Sequence, residues 1–156
     1  MILYYTRSQK TKVFAEALQE ILDLPLYELK SELDDMKDLK FIFRALASVF
    51  TSKECYVNNI PATIPEEIYL CAPIWGGRLA APARYFLKHS DLTGTKVSLL
   101  LTASTPVEKY RLRALEDLSQ VNCAPGEAYI LATGKGSPEK DVVLEHLRKL
   151  MQSELL

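Results

Sequence analysis

The chain has 156 residues, and its 19 Lys and Arg nearly balance 20 Asp and Glu, for a formal net charge of −1. That length suits one domain with a single well-formed core and is too short for two, and the balanced charge gives no overall drive toward nucleic acid or an anionic membrane. No apolar run approaches the ~20 residues needed to span a bilayer, and Met1 leads straight into a strand-like run, so a cytoplasmic protein without nucleic-acid or membrane partners is expected.

Ile2 to Tyr5 predict a buried first strand, and from Lys12 onward Val13, Phe14, Ala17, Leu18, Ile21 and Leu22 recur at helical spacing. The stretch between them, Thr6-Arg7-Ser8-Gln9-Lys10-Thr11, is rich in hydroxyls and sits at a helix N-terminus. Unpaired amides and the positive end of the helix dipole favour an anion there. Thr6, Ser8 and Thr11 offer hydroxyl donors, and Arg7 and Lys10 offer charge. A plain strand-to-helix turn capped by Ser or Thr is the alternative.

Leu24 to Leu29 reads as a short second strand, placed at an edge by Pro25. From Asp34 to about Thr51, Met36, Leu39, Ile42, Phe43, Leu46, Val49 and Phe50 recur at three and four residues, predicting a helix with Asp34 or Asp35 near its start. Its stripe is broad, because Phe41, Phe43 and Phe50 do not share one face. The helix is therefore expected to wall a cleft or to form a subunit contact, as in a homodimer; an ordinary crossover helix buried on its own sheet is the alternative. Asn58 to Pro65 is a loop. Ile68 to Ile74 is a third strand, apolar enough to be buried on both faces, and Pro82 suits the first turn of the next helix.

Asp91 to Thr95 carries turn chemistry, Lys96 to Leu101 is a fourth strand running into Thr102, and Pro106 opens a helix to about Gln120. Glu127 to Thr133 is a fifth strand. Gly134-Lys135-Gly136 is a turn, and Ser137-Pro138-Glu139 starts a last helix carrying Val142, Val143, Leu147, Leu150 and Met151.

Three scattered cysteines, Cys55, Cys71 and Cys123, with only two histidines, argue against a metal site. Cys71 reads as a buried structural thiol. Its spacing to Arg78 is one residue longer than a phosphatase-type C-x5-R loop requires, and Pro73 removes an amide from any such cradle.

Strands alternating with helices imply a parallel sheet covered on both faces. Five strands at this length suit an α/β doubly wound sheet of order 2-1-3-4-5, with ligands outside the carboxyl ends of strands one and three. Thr6 to Thr11 and Pro73-Ile74-Trp75-Gly76-Gly77 follow those two strands.

Thr6-x-Ser8-x-x-Thr11 resembles the FMN-phosphate loop of the flavodoxin family, written [ST]-x-[ST]-G-N-T, with Gln9 and Lys10 in place of Gly-Asn. Ala72 to Pro82, with its P-x-W-x-G core, resembles the loop after strand three in one flavodoxin-like subgroup. The resemblance implies a flavodoxin-like fold and FMN as cofactor, in electron transfer or as a small oxidoreductase. A redox partner protein or small-molecule electron acceptor follows. Trp75 would stack on the isoalloxazine, Gly76 and Gly77 would approach it, and Thr102, Ala103 and Ser104 would supply the other edge. No catalytic acid or base is required. A flavodoxin-like domain that has lost FMN and serves as a binding or structural module is the alternative. A phosphoacceptor receiver domain is excluded by Thr6 and Pro73 at its acidic positions, and the sequence has no Walker A loop.

Overall fold

The apolar alternation of the third predicted strand decides the layering. In β3 (Glu67–Trp75), Ile68, Leu70 and Ala72 enter one buried cluster and Cys71 enters another. The computed structural model describes residues 1–51, 54–134, 136 and 138–153. Within them, β1 (Ile2–Tyr4), β2 (Leu26–Glu28), β3, β5 (Lys96–Ala103) and β6 (Ala124–Ala132) form a parallel sheet in the order β2-β1-β3-β5-β6. The two-residue strand β4 (Arg78–Leu79) hangs off β3. Counting only the five parallel strands gives the order 2-1-3-4-5, as the alternation predicts.

Helices cover both faces. Phe14, Ala17 and Leu18 of α1 (Lys10–Leu22) and Val143, Leu144 and Leu147 of α5 (Lys140–Ser153) pack with Ile2, Cys71, Leu100 and Leu131. On the other face, Phe86 and Leu87 of α3 (Ala81–His89) and Ala114 and Leu118 of α4 (Glu108–Ser119) pack with Leu3, Leu70, Leu99 and Leu101. Fully burying a side chain such as Phe14 or Phe86 contributes about 1.5–3 kcal/mol. β3 and β5 are sealed on both sides because each alternates apolar residues toward both clusters.

Several element boundaries differ from the sequence reading. Helix α1 begins at Lys10 rather than Lys12, and β6 begins at Ala124 rather than Glu127. The early start of β6 needs Gly126: a Cβ there would lie 2.3 Å from Ser98 Oγ, beside a register shift between Val97 and Leu99. Pro106 precedes α4 instead of opening it, because Val107 is still extended. Helix α2 (Asp38–Phe50) starts four residues later than Asp34. The Asp34 carboxylate is occupied locally, accepting from the Ser31 amide at 2.8 Å and the Tyr5 hydroxyl at 3.1 Å, so residues 31–34 turn rather than coil. Lys135 and Ser137, in the predicted turn and helix start after β6, lie outside the described residues.

Helix α2 is the exception to the layering. Of its residues only Ala45 and Ser48 are buried, while Leu39, Ile42, Phe43, Leu46 and Phe50 are exposed. It is not a crossover helix buried on its own sheet.

Candidate functional site

The carboxyl ends of β1, β3 and β5 bring the predicted loops together. Thr11 at the start of α1 and Thr102 at the end of β5, both buried, share a hydrogen bond of 2.8 Å between their hydroxyls. The loops after β1 and β5 are thus fixed to each other, and both hydroxyls serve that joint. Ala103 is held by its carbonyl, which accepts from the Thr133 amide at 2.9 Å, and Ser104 beyond it is exposed.

The loop between β1 and α1 is built to leave donors open. Gln9 takes φ 62°, ψ −5°, a left-handed conformation costing a non-glycine residue about 1–2 kcal/mol. The cost explains the glycine of the resembling motif at this position. The bend presents the α1 N-terminus with no side-chain cap and no acidic residue in its first turn. Thr6 is 7% exposed, and among the described residues its Oγ1 has no hydrogen-bond partner. Two other buried polar atoms also lack partners, Ser90 Oγ and Asp117 Oδ2, but both residues line a cavity of about 410 Å³ between α3 and α4 that is roomy enough for water. That cavity is lined by Arg78, Arg84 and Ser90–Thr93 among others, and by neither Thr6 nor Ser8. Ser8 is exposed beside Thr6.

The two cations of the loop make contacts that the sequence does not show. Arg7 turns away to the segment leading into α2: it donates to the carbonyls of Leu33, Asp34 and Met36 at 3.3, 2.6 and 2.6 Å and pairs with Asp38 at 3.3 Å. Its guanidinium also lies 4.6 Å from the centroid of the Phe41 ring. Arg7 is therefore a structural clamp, because three carbonyls converge where only a planar fork of donors can satisfy them. Lys10 donates to the Gly134 carbonyl at 3.2 Å and ties the loop to the end of β6.

The aromatic half is centred on Trp75. Its ring meets Tyr5 edge-on at 5.6 Å and Phe41 at 5.1 Å, so the last strand residue, the first loop and α2 share one aromatic contact. Burial, and then the charge of Asp34, pushes the Tyr5 phenol well above its ordinary range, which keeps its hydroxyl a donor to Asp34. Burial, followed by Glu28, pushes Tyr4 up to about 12. The sequence marks Tyr5 as the residue just before Thr6 and Phe41 as part of a helix expected to wall a cleft, whereas the Asp34 contact and the Arg7 clamp carry no sequence signal.

Gly76 and Gly77 form the turn of a two-residue hairpin in which Ile74 pairs with Leu79 and Trp75 with Arg78. Their φ values of 56° and 79° suit the turn type that joins antiparallel strands tightly. A Cβ on Gly76 would come within 3.1 Å of Val49, and one on Gly77 within 3.1 Å of Tyr110. The glycines are thus demanded by turn and packing alike. Half-buried Pro73 accepts from the Ala80 amide at 2.9 Å and anchors the hairpin base.

No family model and no curated protein matches the sequence. Solved structures do. A Lactobacillus acidophilus flavoprotein in complex with FMN matches at 25% identity and a TM-score of 0.67, covering 83% of this chain and 90% of that one. The chain has a flavodoxin-like fold. A Bacteroides uniformis structure aligns over 95% of the flavodoxin-like chain and 96% of its own length at 16% identity and TM-score 0.73. Oxidised flavodoxin 1 of Bacillus cereus aligns over 97% and 95% at 14% identity and TM-score 0.53. Among the described residues no helix is long and apolar enough to cross a membrane.

Proposed function

We propose that the protein binds FMN at the carboxyl ends of β1, β3 and β5 and acts in electron transfer or as a small oxidoreductase in the cytoplasm. The observation that carries this reading is the Thr6 hydroxyl, buried without a partner beside an uncapped helix N-terminus. A buried hydroxyl left unpaired costs about 1–3 kcal/mol, and a phosphate oxygen removes that cost. Thr6, Ser8 and the first amides of α1 would hold the phosphate, with the helix dipole adding to its binding. Trp75 would wall the ring system, and the segment Thr102–Ser104 would border it. Thr11 and Thr102 position the two loops, and Arg7 positions α2. The FMN-bound Lactobacillus relative supports the same reading.

Bound FMN would supply the redox chemistry, while the protein binds, orients and shields it. The electrons would come from or pass to a redox partner protein or a small-molecule acceptor. A domain that no longer binds FMN is the second reading, favoured by the diversion of Arg7 from the loop and by the strained Gln9.

Thr6→Val separates the two. It removes an unpartnered hydroxyl, so the cofactor-free protein should gain about 1 kcal/mol in urea unfolding, while FMN affinity, read by quenching of flavin and tryptophan fluorescence, should fall at least about tenfold. Wild type that quenches neither signal at tens of micromolar FMN, or a variant that binds FMN as before, rejects the proposal.

A further inference from the structure

Helix α2 carries an apolar surface that its own chain leaves uncovered. Leu39 is 68% exposed, Ile42 50%, Phe43 66%, Leu46 46% and Phe50 81%. The residues turned inward are Ala45, Ser48 and half-buried Phe41, the last against Trp75. The exposed residues Leu39, Ile42 and Leu46 fall at spacings of three and four, as do Phe43, Leu46 and Phe50, while Val49 turns toward Gly76. This is the spacing of a seam between two helices packed side by side, whereas a helix lying on its own sheet would turn the same residues inward.

We propose that this face pairs with the same face of a second copy of the chain, the two α2 helices running antiparallel across a two-fold axis. The five exposed side chains present roughly 600 Å² of apolar surface per copy, and two copies reach the lower end of the range for specific interfaces, about 1,200 Å² in total. A two-fold pairing of identical surfaces needs self-complementarity, which an antiparallel pair supplies here. It sets Leu39 of one copy over Phe50 of the other and Phe43 over Leu46, larger rings against aliphatic side chains.

Charge does not oppose the pairing. Exposed Asp35 and Asp38 alternate with Lys37 and Lys40 at the amino end of α2, and the cavity of about 350 Å³ that Val49, Phe50 and Gly76 share with α4 is lined by Arg78 and Arg113 as well as Glu116 and Asp117. Both ends of the apolar face are thus of mixed sign, as two like surfaces brought together require. Mixed charge suits a second copy better than a lipid surface, which selects a polar face rich in basic residues. A formal net charge of −1 leaves little repulsion between copies.

The inference does not depend on FMN, and its test is made on the full chain with and without added FMN. Sedimentation velocity over a roughly hundredfold range of concentration should show a monomer–dimer equilibrium in wild type. Phe43→Glu alone and Leu46→Lys alone should each sediment as monomer, and an equimolar mixture of the two should recover the dimer, because the new charges face each other only in the antiparallel register. Unchanged circular dichroism in both variants separates loss of pairing from loss of folding. Wild type that stays monomeric throughout overturns the proposal, as does a dimer that persists in both single variants. Monomeric wild type that floats with phosphatidylcholine–phosphatidylserine vesicles overturns it in favour of a lipid surface.

Discussion

At the loop after β1 a buried hydroxyl lacks a polar partner, and on α2 five apolar side chains lack cover; the two regions are unsatisfied in opposite ways. The loop is short of an acceptor, which a small anion can provide. The helix is short of apolar contact over roughly 600 Å², which takes a macromolecular surface. Buried orphan polar atoms and exposed apolar seams therefore indicate occupants of different size and chemistry. Trp75 joins the two regions, since it touches Tyr5 on one side and Phe41 of α2 on the other.

Removing that joint has the largest expected effect. Trp75→Ala should destabilise the protein by about 3 kcal/mol in urea unfolding followed by circular dichroism, in the range for large aromatic truncations, and should weaken FMN affinity read by equilibrium dialysis at the same time. A loss under about 1 kcal/mol would mean that loop and helix are held independently of the indole, and the link between the two regions would be broken.

Relieving the loop gives a smaller change of opposite sign. Gln9→Gly should stabilise the protein by about 1 kcal/mol, because glycine adopts the left-handed conformation without a Cβ penalty. Thermal unfolding at fixed concentration reads it. A lower melting temperature would show that the Gln9 side chain makes contacts whose loss outweighs the backbone strain.

The smallest change belongs to the outer face of α2. At concentrations where the protein is monomeric, Phe50→Ser should alter stability by less than about 0.5 kcal/mol, since the ring is 81% exposed and has little cover to lose. A markedly larger loss would place Phe50 among the chain's own packing residues and remove the contrast with the loop.

The order of the five parallel strands, the helices on both faces and the meeting of Thr6 to Thr11 with Pro73 to Gly77 at one end of the sheet were all legible in the sequence. Apolar alternation fixes which elements form and chain connectivity limits how they stack, and both are local or topological properties. The breadth of the α2 stripe was legible for the same reason, from the positions of Phe41, Phe43 and Phe50. What only the tertiary structure decided is where the polar and charged side chains go. Arg7, adjacent in sequence to a hydroxyl cradle, is drawn to the carbonyls of Leu33, Asp34 and Met36. Thr11 spends its hydroxyl on Thr102, which is 91 residues away in the chain. Gly76 and Gly77 close a hairpin against Val49 and Tyr110. A long side chain has several partners within reach, and which of them it satisfies depends on distances that exist only once the chain has folded.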